Sequence, residues 1–117
     1  MKSVVTKWLR DHTGTPGVLA CGVQFPDASS CSQSHSPQFS PPVLEHTWRC
    51  VADTFQVLKL QQHFPATRLR WIYEHAYLYC TQREDGLCLG VFTAKDPAAP
   101  DTGALEQLLT EFQGLRG

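Results

Sequence analysis

VLEHTWRCVADTFQVLKLQQH, residues 43 to 63, runs without a glycine or proline and follows Pro41-Pro42, a pair suited to the first positions of a helix. Within it Leu44, Trp48, Val51, Phe55 and Leu58 recur at spacings of four and three, the period of one helical face. Val43, Thr47, Cys50, Thr54 and Val57 repeat those spacings one position earlier and form a second stripe beside the first. A helix lying on one sheet buries an apolar sector of about 100°. Two adjacent stripes exceed that sector, so the surplus points to a second contact, such as the same helix of another subunit. Trp48 keeps register with Leu44, Val51, Phe55 and Leu58 and reads as core rather than as an interface anchor.

Upstream, residues 3 to 12 place Val4, Val5, Trp8 and Leu9 on one stripe of a first helix, which ends at His12-Thr13-Gly14. Val18 to Gln24 is an apolar run of strand length, Phe25-Pro26-Asp27-Ala28 a turn, and Ser29 to Gln33 a polar returning strand at the sheet edge. Ser34 to Pro42 is rich in Ser and Pro and reads as a surface loop. Downstream, after His63-Phe64-Pro65, Thr67 to Tyr73 alternates, with Leu69, Trp71 and Tyr73 on one face and Arg68, Arg70 and Ile72 on the other. Glu74-His75 turns into a strand from Ala76 to Thr81, and Glu84-Asp85-Gly86 turns into a last strand from Leu87 to Phe92. Turns this short join antiparallel neighbours, which makes a meander. Asp101 or Thr102 caps a closing helix striped by Leu105, Leu108, Leu109, Phe112 and Leu115.

The expected order is therefore αββαβββα, an α+β fold in which a five-stranded antiparallel sheet carries the long helix on one face and a short helix at each end. The length, 117 residues, suits one domain over residues 1 to 117. Apolar residues at 42% against charged residues at 18% give enough burial for a core, and a formal charge of -1 supplies no field for a polyanion or an anionic bilayer. No apolar run approaches the about 20 residues of a membrane span, and Met1 to Asp11 lacks the apolar segment of a secretory signal, so a cytoplasmic location is expected. Five cysteines, an odd set with no C-x-x-C pair, read as reduced thiols rather than a disulfide framework. Cys31 with His35 and His46 with Cys50 are the nearest approaches to metal-ligand spacing, and both read as structural; no metal or other cofactor is expected.

In its order of elements the sequence resembles the Roadblock/dynein light chain family, with its MglB-like regulatory domains. The residues that carry the resemblance are Pro16-Gly17-Val18 opening the first strand, the uninterrupted helix from Val43, and the meander that turns at Glu84-Asp85-Gly86. It spans about residues 1 to 115 and rests on topology and pattern. The chain departs from it at the first hairpin, where Asp27-Ala28 replaces the usual Asp-Gly, and in a longer Ser-Pro loop; a short or displaced second strand is expected from this. Profilin-like and longin-like modules share a similar order of elements.

The resemblance implies a non-enzymatic dimeric scaffold that regulates a small Ras-like GTPase or serves a motor or signalling complex. It also implies pairing with a second copy, or a related subunit, through the long helix and the third strand, giving a continuous ten-stranded sheet. Carried onto this chain, the implied dimer contacts are Thr47, Cys50, Thr54 and Val57 on the helix and Arg68, Arg70 and Ile72 on the strand. The alternative is a monomeric ligand-sensing or protein-binding module with Trp48 and the meander aromatics lining a pocket between sheet and helix.

The residues themselves offer no catalytic signature. There is no G-x-x-x-x-G-K-[ST], G-x-G-x-x-G, G-x-S-x-G or H-E-x-x-H motif, so phosphate cradle, nucleophile elbow and metalloprotease helix are missing. Cys50 and His46 stand one helical turn apart, but a nucleophile also needs an oxyanion site and a cleft. Cys80 and Cys88 straddle the last hairpin and read as partners in an apolar layer. Arg68, Arg70 and Arg83 read as a solvated strand face rather than an anion site. Near-neutral charge and the missing RNP pattern argue against an RNA-stacking role for Trp71, Tyr73, Tyr77 and Tyr79.

Overall fold

A computed structural model describes residues 1–61 and 66–116. The elements follow the expected order: α1 (Lys2–His12), β1 (Val18–Gln24), β2 (Ser30–Ser34), α2 (Pro41–Leu60), β3 (Arg68–Ile72), β4 (Ala76–Gln82), β5 (Cys88–Ala94) and α3 (Thr102–Gly114). α2 closes at Leu60, with Gln61 donating back to the Val57 carbonyl; the expected extension to His63 and the turn at Phe64-Pro65 lie outside the described residues. Proline at the start of α2 costs nothing, because its missing N–H would have no partner in the first turn. Asp101 caps α3, its Oδ2 accepting from the Ala104 amide at 3.2 Å.

The strands form one antiparallel sheet in the order β2-β1-β5-β4-β3. β2 is neither truncated nor displaced; it pairs with β1 in regular register from Ala20 opposite Ser34 to Gln24 opposite Ser30. Two helices cover one sheet face, where Val5, Trp8 and Leu9 of α1 and Leu105, Leu108 and Phe112 of α3 meet Cys21, Val23, Leu89 and Val91. α2 covers the other face, packing Leu44, Trp48, Val51 and Phe55 on Ala20, Leu78, Cys80 and Phe92. The stripe centred on Trp48 therefore faces the sheet, with Leu58 only half-buried at its end.

Trp48 fixes where α2 sits. Gly22 and Gly90 are register partners on β1 and β5, and a Cβ on either would fall within the indole. The ring needs that bare backbone, and its Nε1 donates to Ser32 Oγ on β2 at 2.8 Å. α2 thus lies over the β2-β1-β5 half of the sheet. The Ser-Pro loop that leads into it is mostly exposed but is anchored by Phe39, whose ring lies 4.5 Å from that of Phe92.

Candidate interaction face

Because α2 sits toward β2, the β3–β4 half of the same sheet face is only partly roofed. Trp71 is half-buried there and Tyr73 is 44% exposed, and an open groove of about 180 Å³ runs between them and Thr47, Cys50 and Thr54 of α2. β3 ends the sheet: among the described residues it pairs with β4 alone, so its outer backbone groups have no strand partner.

The second stripe of α2 borders this groove. Val43 is 50% exposed and Val57 41%, while Thr47 and Thr54 are half-buried and Cys50 is exposed. Thr47 Oγ1 donates to the Val43 carbonyl and Thr54 Oγ1 to that of Cys50, each at 2.9 Å, so neither hydroxyl demands an outside acceptor. The charged residues Arg49 and Asp53 lie on the other flank, beside Gln24 and Pro26. What remains is an uncharged helix flank next to an open strand edge, with Ile72 (65% exposed) close by on that edge. Cys50 Sγ lies 3.6 Å from His46 Nε2 on this flank.

The strand residues named from the sequence lie where the alternation placed them. Arg68, Arg70 and Ile72 occupy the edge strand and alternate to the sheet face opposite α2, whereas Leu69 and Trp71 turn toward it. The helix set and the strand set therefore share one edge of the molecule without meeting over one surface. Trp71 and Tyr73 are the aromatic neighbours of the helix flank, and their alternation with Arg68 and Arg70 is the signal that pairs them with it.

The arginines are engaged within the chain. Arg68 Nη1 bonds both Glu106 oxygens, at 3.0 and 2.9 Å, and the Arg70 guanidinium lies 5.4 Å from the Tyr77 ring centre. Arg83 is buried, donating to the Phe112 carbonyl at 3.0 Å and to Asp85 at 2.8 Å. A wider groove of about 690 Å³ at this end, lined by Thr67, Arg68, Arg83, Asp85, Gln113 and Arg116, mixes both charge signs.

All five cysteines are free. The register sets Cys80 opposite Gly90 and Cys88 opposite Gln82, so the two thiols are diagonal rather than directly opposed. Both lie in the apolar layer under α2. Burial raises the Cys88 thiol to about 11, with Gln82 opposing, and pushes that of Cys80 still higher, the neighbouring Cys88 adding to it. Burial also raises Cys21 to about 11 and Tyr73 above the usual phenol value. Among the described residues no three His, Cys, Asp or Glu are grouped to hold a metal ion, and no helix is long and apolar enough to cross a membrane.

The fold is roadblock-like. It is similar to the Roadblock/LC7 domain from Streptomyces avermitilis, with a TM-score of 0.65 at 10% identity over 97% of this chain and 92% of that one. It is similar also to the gliding protein MglB of Thermus thermophilus, with a TM-score of 0.72 at 11% identity over 95% of this chain and 84% of that one. MglB of Myxococcus xanthus gives a TM-score of 0.65 at 13% identity over 96% and 80% of the two chains. No family model and no curated protein sequence matches the chain.

Proposed function

We propose that residues 1 to 117 work as one roadblock-like domain that pairs with a second copy of itself, in the cytoplasm. In this reading the dimer has no catalytic activity of its own and serves as a scaffold that regulates or positions a small Ras-like GTPase within a motor or signalling complex. The observation that carries the reading is the uncharged flank of α2 beside the unroofed half of the sheet and the open edge of β3. A two-fold axis at β3 would join the edges antiparallel and lay a second α2 beside the first, covering Val57, Tyr73 and Trp71 together. The GTPase part draws its support from the fold's likeness to MglB.

The rival reading, a pocket between sheet and helix, has only the open groove of about 180 Å³ beside Trp71 and Tyr73 to draw on, because the Trp48 indole fills the space above Gly22 and Gly90. Affinity capture with the dimer, in lysates supplemented with GDP or with a non-hydrolysable GTP analogue, tests the partner. Nucleotide-dependent recovery of a small GTPase, reproduced with both proteins purified, is the expected result; absence of any nucleotide-binding protein in either state contradicts it.

A further inference from the structure

His46 and Cys50 form a pair outside the core, joined by a side-chain contact across one turn of α2. Both side chains are exposed, they leave α2 one turn apart on the side of the groove, and Cys50 Sγ stands 3.6 Å from His46 Nε2. A tetrahedral zinc ion holds thiolate sulfur at about 2.3 Å and imidazole nitrogen at about 2.0–2.1 Å, which sets two such ligands about 3.6 Å apart. The pair therefore already stands at the ligand-to-ligand separation of half a zinc site.

One chain cannot close such a site, since among the described residues no third ligand joins the pair. Cys50, however, falls at the middle of α2 (Pro41–Leu60). In an isologous pairing of two antiparallel helices the middle of one faces the middle of the other, so a residue there meets its own copy. We propose that the dimer binds one zinc ion between its two α2 helices, in a Cys2His2 site made of His46 and Cys50 from each protomer. The inference rests on the dimer reading above.

The composition suits the place. On binding, each Cys50 thiol releases its proton to solvent, and the two thiolates balance the charge of Zn2+ while the imidazoles bind neutral. The closed site has no net charge, which suits the uncharged groove residues beside it, Thr47 and Thr54. Two protein ligands from each partner also leave no open position for substrate, so the site would be structural, clamping the dimer.

The test uses the purified full chain, stripped of metal and kept reduced, titrated with zinc chloride or cobalt chloride and followed by calorimetry, absorption and sedimentation. Expected are one ion per two chains, a thiolate-to-cobalt charge-transfer band with tetrahedral ligand-field bands, and a tighter dimer with zinc. His46→Gln and Cys50→Ser, both at exposed positions, should each weaken binding by more than about 100-fold, beyond the loss that indirect ligand contacts cause. A wild-type dimer that binds no zinc, or binds it equally in both variants, overturns the site and leaves the dimer standing. A chain that stays monomeric with and without zinc overturns the dimer reading, and the site with it.

Discussion

The indole of Trp48 occupies the space that a Cβ on Gly22 would need, and it does the same to Gly90, the register partner of Gly22 on the next strand. A helix residue and two strand glycines from distant parts of the chain thus form one contact, and it sets the position of α2 over the sheet. Gly22→Ala and Gly90→Ala are each expected to destabilise the fold by about 1–3 kcal/mol through overpacking. Ser32→Ala should cost about 1–3 kcal/mol, because it strands the indole N–H without its acceptor. Urea unfolding curves check both; midpoints unchanged from wild type would contradict this packing.

The β1–β2 and β4–β5 hairpins use the same loop with different residues at its critical position. In each, three residues separate the closing pair, Phe25 with Ser29 and Arg83 with Leu87, and the third loop residue is left-handed: Ala28 at φ 73° and Gly86 at φ 91°. Alanine is strained there and glycine is not, while glycine loses more entropy on folding. Ala28→Gly is accordingly expected to raise stability by about 0.5–1 kcal/mol, measured by thermal unfolding. A decrease would show that the Asp27 contacts to Lys2 and Ser29 already relieve the turn.

Thiol chemistry should divide the cysteines by place. In the metal-free Thr54→Arg variant, where no partner covers it, Cys50 is expected to react first with a maleimide at neutral pH, while Cys21, Cys80 and Cys88 stay protected until the chain unfolds. The raised thiols also fix a sign. The native state holds their protons more tightly than the unfolded chain does, so their contribution is fully present below about 9 and is lost as pH rises toward the folded value of about 11 for Cys21 and Cys88. Unfolding midpoints that stay flat between those limits would contradict the burial of these side chains.

Thr54→Arg tests the assigned helix flank. The position is half-buried in one chain, with no core contact that an arginine must break, yet in an isologous pairing each protomer would bury an unpaired arginine in the contact. The variant is expected to keep the wild-type circular dichroism spectrum and to sediment as a monomer. An unchanged dimer would move the contact to another face.

Much of this was legible in the residues, and the reason is periodicity. The spacings in α2 give two stripes and mark Trp48 as core without deciding which stripe meets the sheet, and the alternation of Leu69 and Trp71 with Arg68 and Arg70 gives the two faces of β3. What period cannot supply is which sheet face receives the helix. Arg68, Arg70 and Ile72 alternate to the sheet face opposite Thr47, Cys50, Thr54 and Val57, and it is the edge of β3 that brings the two sets into one proposed contact. The Gly22–Gly90 floor was equally out of reach, because it exists only through a register between strands far apart in sequence. Phe39 was hidden by its Ser-Pro surroundings, though an aromatic in a polar loop is the usual sign of an anchor.

Sedimentation equilibrium of the wild-type chain, over a range of micromolar concentrations, bears most directly on the pairing of α2 and β3 across a two-fold axis. The account predicts a species of about twice 13.1 kDa. A mass of 13.1 kDa throughout that range would contradict it.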